Sequence, residues 1–263
     1  MENVREAVRK QYGKIGATGN AAAGCCTPER HSGDVALATL CPDSSRRIGY
    51  SEEEVSSVPE GANLGLGCGN PQAIAQLKPG ETVLDLGSGG GFDCFLAGKQ
   101  VGPTGRVIGV DMTGEMIERA RENARKAATA NVEFRLGEIE HLPVADESVD
   151  VILSNCVVNL SPDKPGVFGD AFRVLKPGGR LAISDVVATA PLPEDVRNDI
   201  ELHVGCMAGA ATIDEVRSML SQAGFADIRI TPKEESRELI REWLPESNLA
   251  DYVVSATIEA VRP

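Results

Sequence analysis

Three cysteines stand in segments where a thiol could do chemistry. Cys68 lies in GLGCGNP, Cys156 in SNCVVNL and Cys206 in HVGCMAGA. A thiolate is a nucleophile and a soft ligand, and it prefers thiophilic centres to hard cations. The glycines beside Cys68 are expected to give its thiol freedom and access. A single cysteine is more often a small core hydrophobe, so the role of these thiols depends on whether the fold brings them together.

The other cysteines are Cys25, Cys26, Cys41 and Cys94, which makes seven in all. An odd count, without an apparent export signal, argues against a disulfide framework, and the absence of a C-x-x-C pair argues against a zinc finger. Cys94 is followed by Phe95 in a predicted helix and is interpreted as a core residue. The pair Cys25–Cys26 lies in a segment rich in small residues, where it is either a handle for a metalloid or part of a tail.

A glycine-rich turn, LDLGSGGGFD at residues 84–93, follows an apolar run and opens a helix. A dinucleotide fingerprint would place its third glycine at position 92, where this chain has Phe92, and this disfavours an NAD-dependent dehydrogenase. The pattern D-x-G-x-G-x-G, from Asp85 to Gly91, instead fits S-adenosylmethionine (SAM). SAM has no pyrophosphate, and its ammonium group suits the carboxylate of Asp85.

Further cofactor residues are predicted at the ends of the next strands. Asp111 ends the second strand, where a carboxylate can accept hydrogen bonds from both ribose hydroxyls. The segment GEIEHLP, residues 137–143, ends the third strand, where an adenine ring would lie. The residues predicted to bind the cofactor are Asp85, Gly87, Ser88, Gly89, Gly91, Asp111, Met112, Glu138, Ile139 and Asn155.

Short apolar runs alternate with helical patterns along the chain. Strands are predicted over residues 82–87, 106–111, 132–136, 149–154 and 180–184, followed by two closing strands over 227–231 and 252–261. Helices are predicted over residues 1–14, 113–128, 164–175 and 213–223. Alternating buried strands and helices are typical of an α/β fold. We therefore expect a doubly wound, mostly parallel seven-stranded sheet, with an N-terminal extension and a capping insertion after the fifth strand.

Three regions are expected: an N-terminal cysteine-containing segment over 1–60, partly mobile; a SAM-binding α/β core over 61–190; and, over 191–263, a capping segment with the closing strands. The stretch 15–35 is the part expected to be mobile. The stretch 191–211, which carries Cys206, is expected to pack as a lid over the sheet edge where α/β proteins bind ligands. Cys68, Cys156 and Cys206 would then converge over the methyl group of the cofactor.

Charge limits the classes of partner. The chain has 39 acidic and 26 basic residues, a formal net charge of −13. Because binding to phosphates needs Lys and Arg, we expect the protein to bind neither nucleic acids nor anionic membranes. Apolar runs are far shorter than the roughly 20 residues of a membrane span, and the first residues do not resemble a signal peptide. A cytoplasmic location is therefore expected.

Several segments resemble known methyltransferases. LDLGSGGGFD, GVDMT, GEIEHLP, SNCVVNL and FRVLKPGG are similar to the class I SAM-dependent methyltransferases over about residues 60–263, while GLGCGNP, SNCVVNL and GCMAGA resemble the arsenite methyltransferases. The resemblance implies arsenite and methylarsenite as substrates, SAM as methyl donor and thioredoxin or glutathione as reductant. It also implies that Cys156 and Cys206 hold arsenic through all steps, whereas Cys68 joins for the first methylation.

The chain departs from that family in two places. The family has a further upstream cysteine that can form a disulfide with the counterpart of Cys68; Cys41 is the choice by spacing, with Cys25 and Cys26 as alternatives. Many members carry an aromatic residue where this chain has Leu66. Two other functions stay open at this point: methylation of an organic small molecule, with dispensable cysteines, and metalloid sequestration without catalysis.

Overall fold

The computed structural model describes residues 2–18, 44–197, 199–243 and 248–263. Its centre is one seven-stranded sheet of order β3-β2-β1-β4-β5-β7-β6. The strands are β1 Thr82–Leu86, β2 Arg106–Asp111, β3 Val132–Leu136, β4 Val149–Asn155, β5 Leu175–Ala188, β6 Ala226–Lys233 and β7 Val253–Val261. All neighbouring pairs are parallel except the two that β7 makes with β5 and β6. The predicted mostly parallel, doubly wound sheet is confirmed.

Helices lie on both faces and along the carboxyl edge of this sheet. They are α1 Glu2–Thr18, α2 Ser44–Arg47, α3 Glu52–Ser56, α4 Gln72–Ala75, α5 Phe92–Val101, α6 Gly114–Lys126, α7 Lys164–Val174, α8 Glu194–Arg197, α9 Ile200–Val204, α10 Ile213–Ala223 and α11 Ser236–Trp243. Among the described residues no helix is long and apolar enough to cross a bilayer.

Each central strand is apolar on both faces because both faces are covered. Side chains alternate across the sheet. Leu84 and Ile152 face the core shared with α7 and α10, and Val83 and Val151 face the core shared with α5 and α6. This explains why the strand sequences are continuous apolar runs rather than alternating ones.

Local signals set the helix ends. Thr212 caps α10: its hydroxyl accepts from the Glu215 N–H, the Glu215 carboxylate accepts from the Thr212 N–H, and Gly224, with φ +104°, ends the helix. Strand β5 is longer than the predicted run at 180–184. Its carboxyl end is extended because β7 pairs with it as far as Ala188, and its amino end includes Leu175, which pairs with Val149 of β4.

The N-terminal helix also exceeds its prediction. Helix α1 continues to Thr18 instead of stopping at residue 14, because Ile15 and Gly16 pack against α6. Residues 15–18 are therefore helical, and the expectation that they belong to a mobile segment is wrong. The rest of that segment, with Cys25 and Cys26, lies outside the described residues, as does Cys41.

The stretch at 191–211 contains α8 and α9. Its end is tied to the sheet by a hydrogen bond from the Ala188 N–H to the Ala211 carbonyl, 2.9 Å. Cys206 follows α9 and is buried against residues at the carboxyl edge of the sheet. This stretch therefore covers the sheet edge, as expected for a cap.

Candidate active site

A deep cavity opens at the carboxyl ends of β1, β2 and β4. It holds about 1620 Å³ of empty space, including its mouth. A cavity at the carboxyl edge of a mostly parallel sheet is where α/β proteins bind their ligands. The cofactor side is lined by Asp85, Gly87, Ser88, Gly89, Asp111, Met112 and Ile139, and the opposite side by Asn155, Cys156, Val204 and Cys206.

The glycine turn forms a cradle for a ligand. Gly87 and Gly89 have positive φ angles of +69° and +50°. A Cβ at Gly89 would meet open space, while one at Gly87 would lie 2.5 Å from the Val157 side chain. The buried Ser88 hydroxyl has no hydrogen-bond partner within the described residues. The turn therefore offers a backbone surface and a free hydroxyl to a bound molecule, which fits SAM.

Two carboxylates flank this turn: Asp85 is buried and Asp111 is half-buried. Burial, followed by the nearby Asp93 carboxylate, raises the pKa of Asp85 well above its usual range. Burial also raises the pKa of Asp111, whose two oxygens accept hydrogen bonds from the N–H groups of Gly89, 3.0 Å, and Thr113, 2.9 Å. Neither carboxylate has an ion-pair partner in the described part of the chain. The pair is suited to a ligand with a cationic group and hydroxyl donors.

Two of the predicted cofactor residues do not line the cavity. Gly91 is the N-cap of α5, with φ +95°, and a Cβ there would press on Phe134 and Phe95, so its role is packing. Glu138 turns away and pairs with Arg9 at 3.2 Å. Glu140, two residues on, lines the cavity in its place.

Asn155 lines the cavity, and its hydrogen bonds fix the loop that carries Cys68. Its side-chain oxygen accepts from the Cys68 N–H, 3.1 Å, and its amide donates to the Gly69 carbonyl, 2.8 Å. The same amide donates to the hydroxyl of Tyr50, which donates to Asp93 at 2.8 Å. Sequence reasoning missed Tyr50 and Asp93, because this network joins residues 43 to 105 positions apart.

The structure brings Cys68, Cys156 and Cys206 together. The Cys206 thiol donates to the Cys156 carbonyl at 2.8 Å. The sulfur atoms of Cys68 and Cys156 and a carboxylate oxygen of Asp185 all lie within 4.8 Å of one another. All three cysteines are free thiols. Three segments distant in sequence therefore meet here: the sulfurs of Cys68 and Cys156 are neighbours, and the Cys206 thiol lies against the backbone of Cys156.

Cys68 is less accessible than its neighbouring glycines suggest. Its side chain is buried and does not line the cavity, which Cys156 and Cys206 do. The Ser255 hydroxyl donates a hydrogen bond to the Cys68 carbonyl at 2.5 Å. This bond adds to those that Asn155 makes with the same loop. The expected access of this thiol is therefore wrong in this structure: Cys68 is buried beside Cys156.

The surroundings of Cys68 and Cys156 raise the pKa of both thiols and so favour the protonated form. Burial raises the pKa of Cys68. Hydrogen bonding to Cys206 and Cys68, followed by burial, raises the pKa of Cys156 well above its usual range. A thiophilic centre that binds here must therefore displace thiol protons as the bonds to sulfur form.

Asp185 lies in β5 directly after Ser184, which pairs with Asn155 at the carboxyl end of β4, and it fixes the turn after Cys156. One carboxylate oxygen accepts from the Val158 N–H, 2.9 Å, and the other from the Asn159 side-chain amide, 2.9 Å, and the Val186 N–H, 2.8 Å. Burial raises the pKa of Asp185 to about 6. Sequence reasoning missed this residue, although its position just after the predicted strand 180–184 is the same signal that identified Asp111.

Cys94 is fully buried, as predicted for a core residue. Its thiol also donates to the Asp85 carboxylate at 3.2 Å. Cys94 therefore supports the cofactor side of the cavity and has no part in the thiol cluster.

Both cysteines that line the cavity have strained backbones, with φ +61° at Cys156 and +66° at Cys206. A left-handed conformation costs a residue with a Cβ about 1–2 kcal/mol, whereas glycine adopts it freely. We expect the free energy of unfolding of Cys206→Gly, measured by urea denaturation, to exceed that of Cys206→Ala by about 1 kcal/mol. Both variants lack the thiol, so the difference reports the strain. An alanine variant as stable as the glycine variant would contradict this account.

Comparison with known proteins gives consistent matches. A family model described as a methyltransferase domain matches residues 77–224. An arsenite methyltransferase from Halobacterium salinarum is 56% identical over the whole chain, which covers 67% of that relative. An arsenite methyltransferase from Aquipseudomonas alcaligenes is 38% identical over 86% of the chain, which covers 63% of that relative. The chain thus spans about two thirds of the length of these curated relatives.

A solved structure agrees with these sequence matches. The crystal structure of an arsenic(III) S-adenosylmethionine methyltransferase from Chlamydomonas reinhardtii matches with a TM-score of 0.63 and 34% identity. The match covers 82% of this chain and 72% of the other.

Proposed function

The chain belongs to the arsenite methyltransferases, which are SAM-dependent enzymes, and from that premise we propose that it methylates trivalent arsenic held by Cys68, Cys156 and Cys206. The observation that carries the proposal is the convergence of these three thiols beside a cavity whose other side fits SAM. Arsenic(III) is thiophilic, has three coordination sites and keeps a lone pair, so it suits three sulfurs.

Arsenite capture balances without an external base. Arsenous acid carries three hydroxyl groups, and each thiol that forms an As–S bond gives its proton to a departing hydroxide, which leaves as water. Three thiols therefore yield a neutral tris-thiolate and three waters. Methylarsenite has only two exchangeable groups, so two thiols suffice. We assign these two roles to Cys156 and Cys206, which line the cavity, and the third position to Cys68, which is buried beside Cys156.

SAM, when bound, supplies an electrophilic methyl group on a sulfonium sulfur. The residues that would hold it are Asp85 toward the ammonium group, Asp111 toward the ribose hydroxyls, and Ser88 with the glycine turn beside the amino acid moiety. The thiol cluster fixes the arsenic opposite these residues with its lone pair free, and the cap at 191–211 excludes water. Such catalysis is largely positioning and desolvation.

Methyl transfer takes an electron pair from arsenic, so a trivalent product requires two electrons from elsewhere. We propose that the thiol of an upstream cysteine, Cys41 by spacing or else Cys25 or Cys26, attacks the arsenic-bound sulfur of Cys68 and loses its proton to solvent. The disulfide forms as the As–S bond to Cys68 breaks, and the electron pair of that bond stays on arsenic. Thioredoxin or glutathione would reduce that disulfide again. These three upstream cysteines lie outside the described residues, and a cytoplasmic location, where such reductants are available, is part of the same proposal.

SAM binding should weaken as the pH falls. The pKa of Asp85 is raised in the free protein by burial and by Asp93, and a cationic ligand would lower it again. The carboxylate form binds the cation, so affinity is full above the raised pKa and declines below it, by up to about tenfold per pH unit. Calorimetry across pH should show this decline together with proton release. An affinity that stays constant across the acidic range in which the protein remains folded would contradict the role of Asp85, and Asp85→Asn should remove most of the dependence.

The experiment that tests the function is direct. The protein is incubated with SAM, a thiol reductant and arsenite, and arsenic species are separated by chromatography with mass detection. Methylated arsenic is the expected product. Arsenic that stays bound but unmethylated would favour a sequestering protein, and absence of both binding and product would favour an organic acceptor.

A further inference from the structure

Methyl transfer to arsenic moves a positive charge across the cavity. The lone pair of arsenic forms the new As–C bond while the carbon–sulfur bond of the sulfonium breaks, and the electron pair of the broken bond stays on that sulfur as a neutral thioether. The neutral thiolate complex of arsenic thereby becomes a cation, until the reductive step removes the charge. A fixed negative charge beside the thiol cluster of Cys68, Cys156 and Cys206 would therefore stabilise the transition state more than the starting complex.

Asp185 places a carboxylate at this cluster. One of its oxygens and the sulfur atoms of Cys68 and Cys156 all lie within 4.8 Å of one another. The residue is 2% exposed and does not line the cavity, so water screens its charge only weakly. An arsenic atom bound to both sulfurs would lie beside this carboxylate.

The surroundings of Asp185 stabilise its anionic form in one position. Its oxygens accept hydrogen bonds from the Val158 N–H, the Asn159 side-chain amide and the Val186 N–H, at 2.8 to 2.9 Å. All three partners are donors, and donors favour the charged form of a carboxyl group. Burial raises the pKa of Asp185 only to about 6, because these bonds and the charge of Lys164 oppose it. The carboxylate is therefore a preorganised charge.

We propose that Asp185 assists methyl transfer electrostatically, by stabilising the positive charge that develops on thiolate-bound arsenic. The inference rests on the proposed function and adds a residue to it that is not a ligand of arsenic. Arsenite and methylarsenite both become cations when methylated, so the role covers both substrates, unlike that of Cys68. Capture of arsenic gives a neutral complex, so the carboxylate should leave the affinity for arsenite unchanged.

The test separates capture from methyl transfer. Wild type, Asp185→Asn and Asn159→Ala are loaded with arsenite or methylarsenite and mixed with saturating SAM, and the rate of a single turnover is measured by rapid quench. Dissociation constants of both arsenicals are measured without SAM. We expect Asp185→Asn to transfer the methyl group about 100-fold more slowly to both arsenicals. Its dissociation constants should equal those of the wild type.

Asn159→Ala is the matched control for the structure of the turn. It removes one hydrogen bond to Asp185 and leaves the charge, whereas Asp185→Asn keeps the side-chain size and removes the charge. Both variants disturb buried hydrogen bonds, so both should be less stable than the wild type in urea denaturation. Only Asp185→Asn should slow methyl transfer.

A folded Asp185→Asn protein that transfers the methyl group at the wild-type rate overturns the inference. Equal slowing in Asn159→Ala, or an arsenite affinity that falls in parallel with the rate, shows a structural role and overturns it too. If Asp185→Asn does not fold, Asp185→Ser takes its place, with the same expected loss of rate at unchanged affinity. A wild type that binds arsenite and never methylates it refutes the proposed function, whereas an active wild type with an equally active Asp185→Asn refutes only the role of Asp185.

Discussion

Cys156→Ser and Cys206→Ser each lower methylation of both arsenite and methylarsenite to below about one hundredth of the wild-type rate. A serine oxygen is harder and ionises far less readily than a thiol, so it cannot hold arsenic. Each replacement exchanges the thiol for a hydroxyl, which can still donate a hydrogen bond. The Cβ and the backbone angle φ stay the same, +61° at Cys156 and +66° at Cys206. The fold should therefore survive, and the loss reports the missing sulfur.

Two further variants show which cysteines are needed for methylation of arsenite and which for methylation of methylarsenite. Cys68→Ser should lose arsenite methylation and keep methylarsenite methylation, because Cys68 is the third ligand. Cys94→Ser should keep both activities, since a serine hydroxyl can still donate to Asp85. The four single variants are assayed on both substrates with product speciation. A Cys156→Ser protein that methylates either arsenical near the wild-type rate would refute thiolate capture, and methylation of an organic acceptor would replace it.

Asp111→Ala weakens SAM binding by about 1–3 kcal/mol, which is roughly 5- to 150-fold in Kd. The variant loses the acceptor for the ribose hydroxyls. It also frees the Gly89 N–H, which the Asp111 carboxylate anchors at 3.0 Å, so the glycine turn loosens as well. Isothermal titration calorimetry measures the change.

Cys68→Ser is the matched control for that measurement, because the Cys68 side chain is buried and does not line the cavity. Its SAM affinity should equal that of the wild type. An Asp111→Ala protein with wild-type SAM affinity would place the cofactor elsewhere.

The placement of Asp85, Asp111 and Cys156 could be predicted from the sequence because each ends a buried strand. Parallel strands end at one edge of the sheet, so residues at those ends meet without any knowledge of loops. The apolar runs likewise predicted the central strands β1, β2 and β4, which are buried on both faces. Strand β3 was predicted from its alternating pattern, which agrees with its burial on one face.

Other parts of the site depend on contacts that no local pattern encodes. The Tyr12 hydroxyl meets the Val204 carbonyl across 192 positions of sequence. Glu138 was predicted to contact the cofactor, yet it pairs with Arg9 because tertiary packing brings α1 beside it. The glycines around Cys68 suggested freedom, whereas hydrogen bonds from Asn155 and Ser255 fix that loop.

Arsenic K-edge X-ray absorption on the arsenite-loaded protein tests the central claim most directly, because it counts the atoms bound to arsenic. The account predicts three sulfur neighbours in the wild type, and two sulfurs with one oxygen in Cys68→Ser. It also predicts two sulfurs with one carbon when methylarsenite replaces arsenite. A shell of oxygen neighbours in the wild type, or three sulfurs that persist in Cys156→Ser, would contradict it.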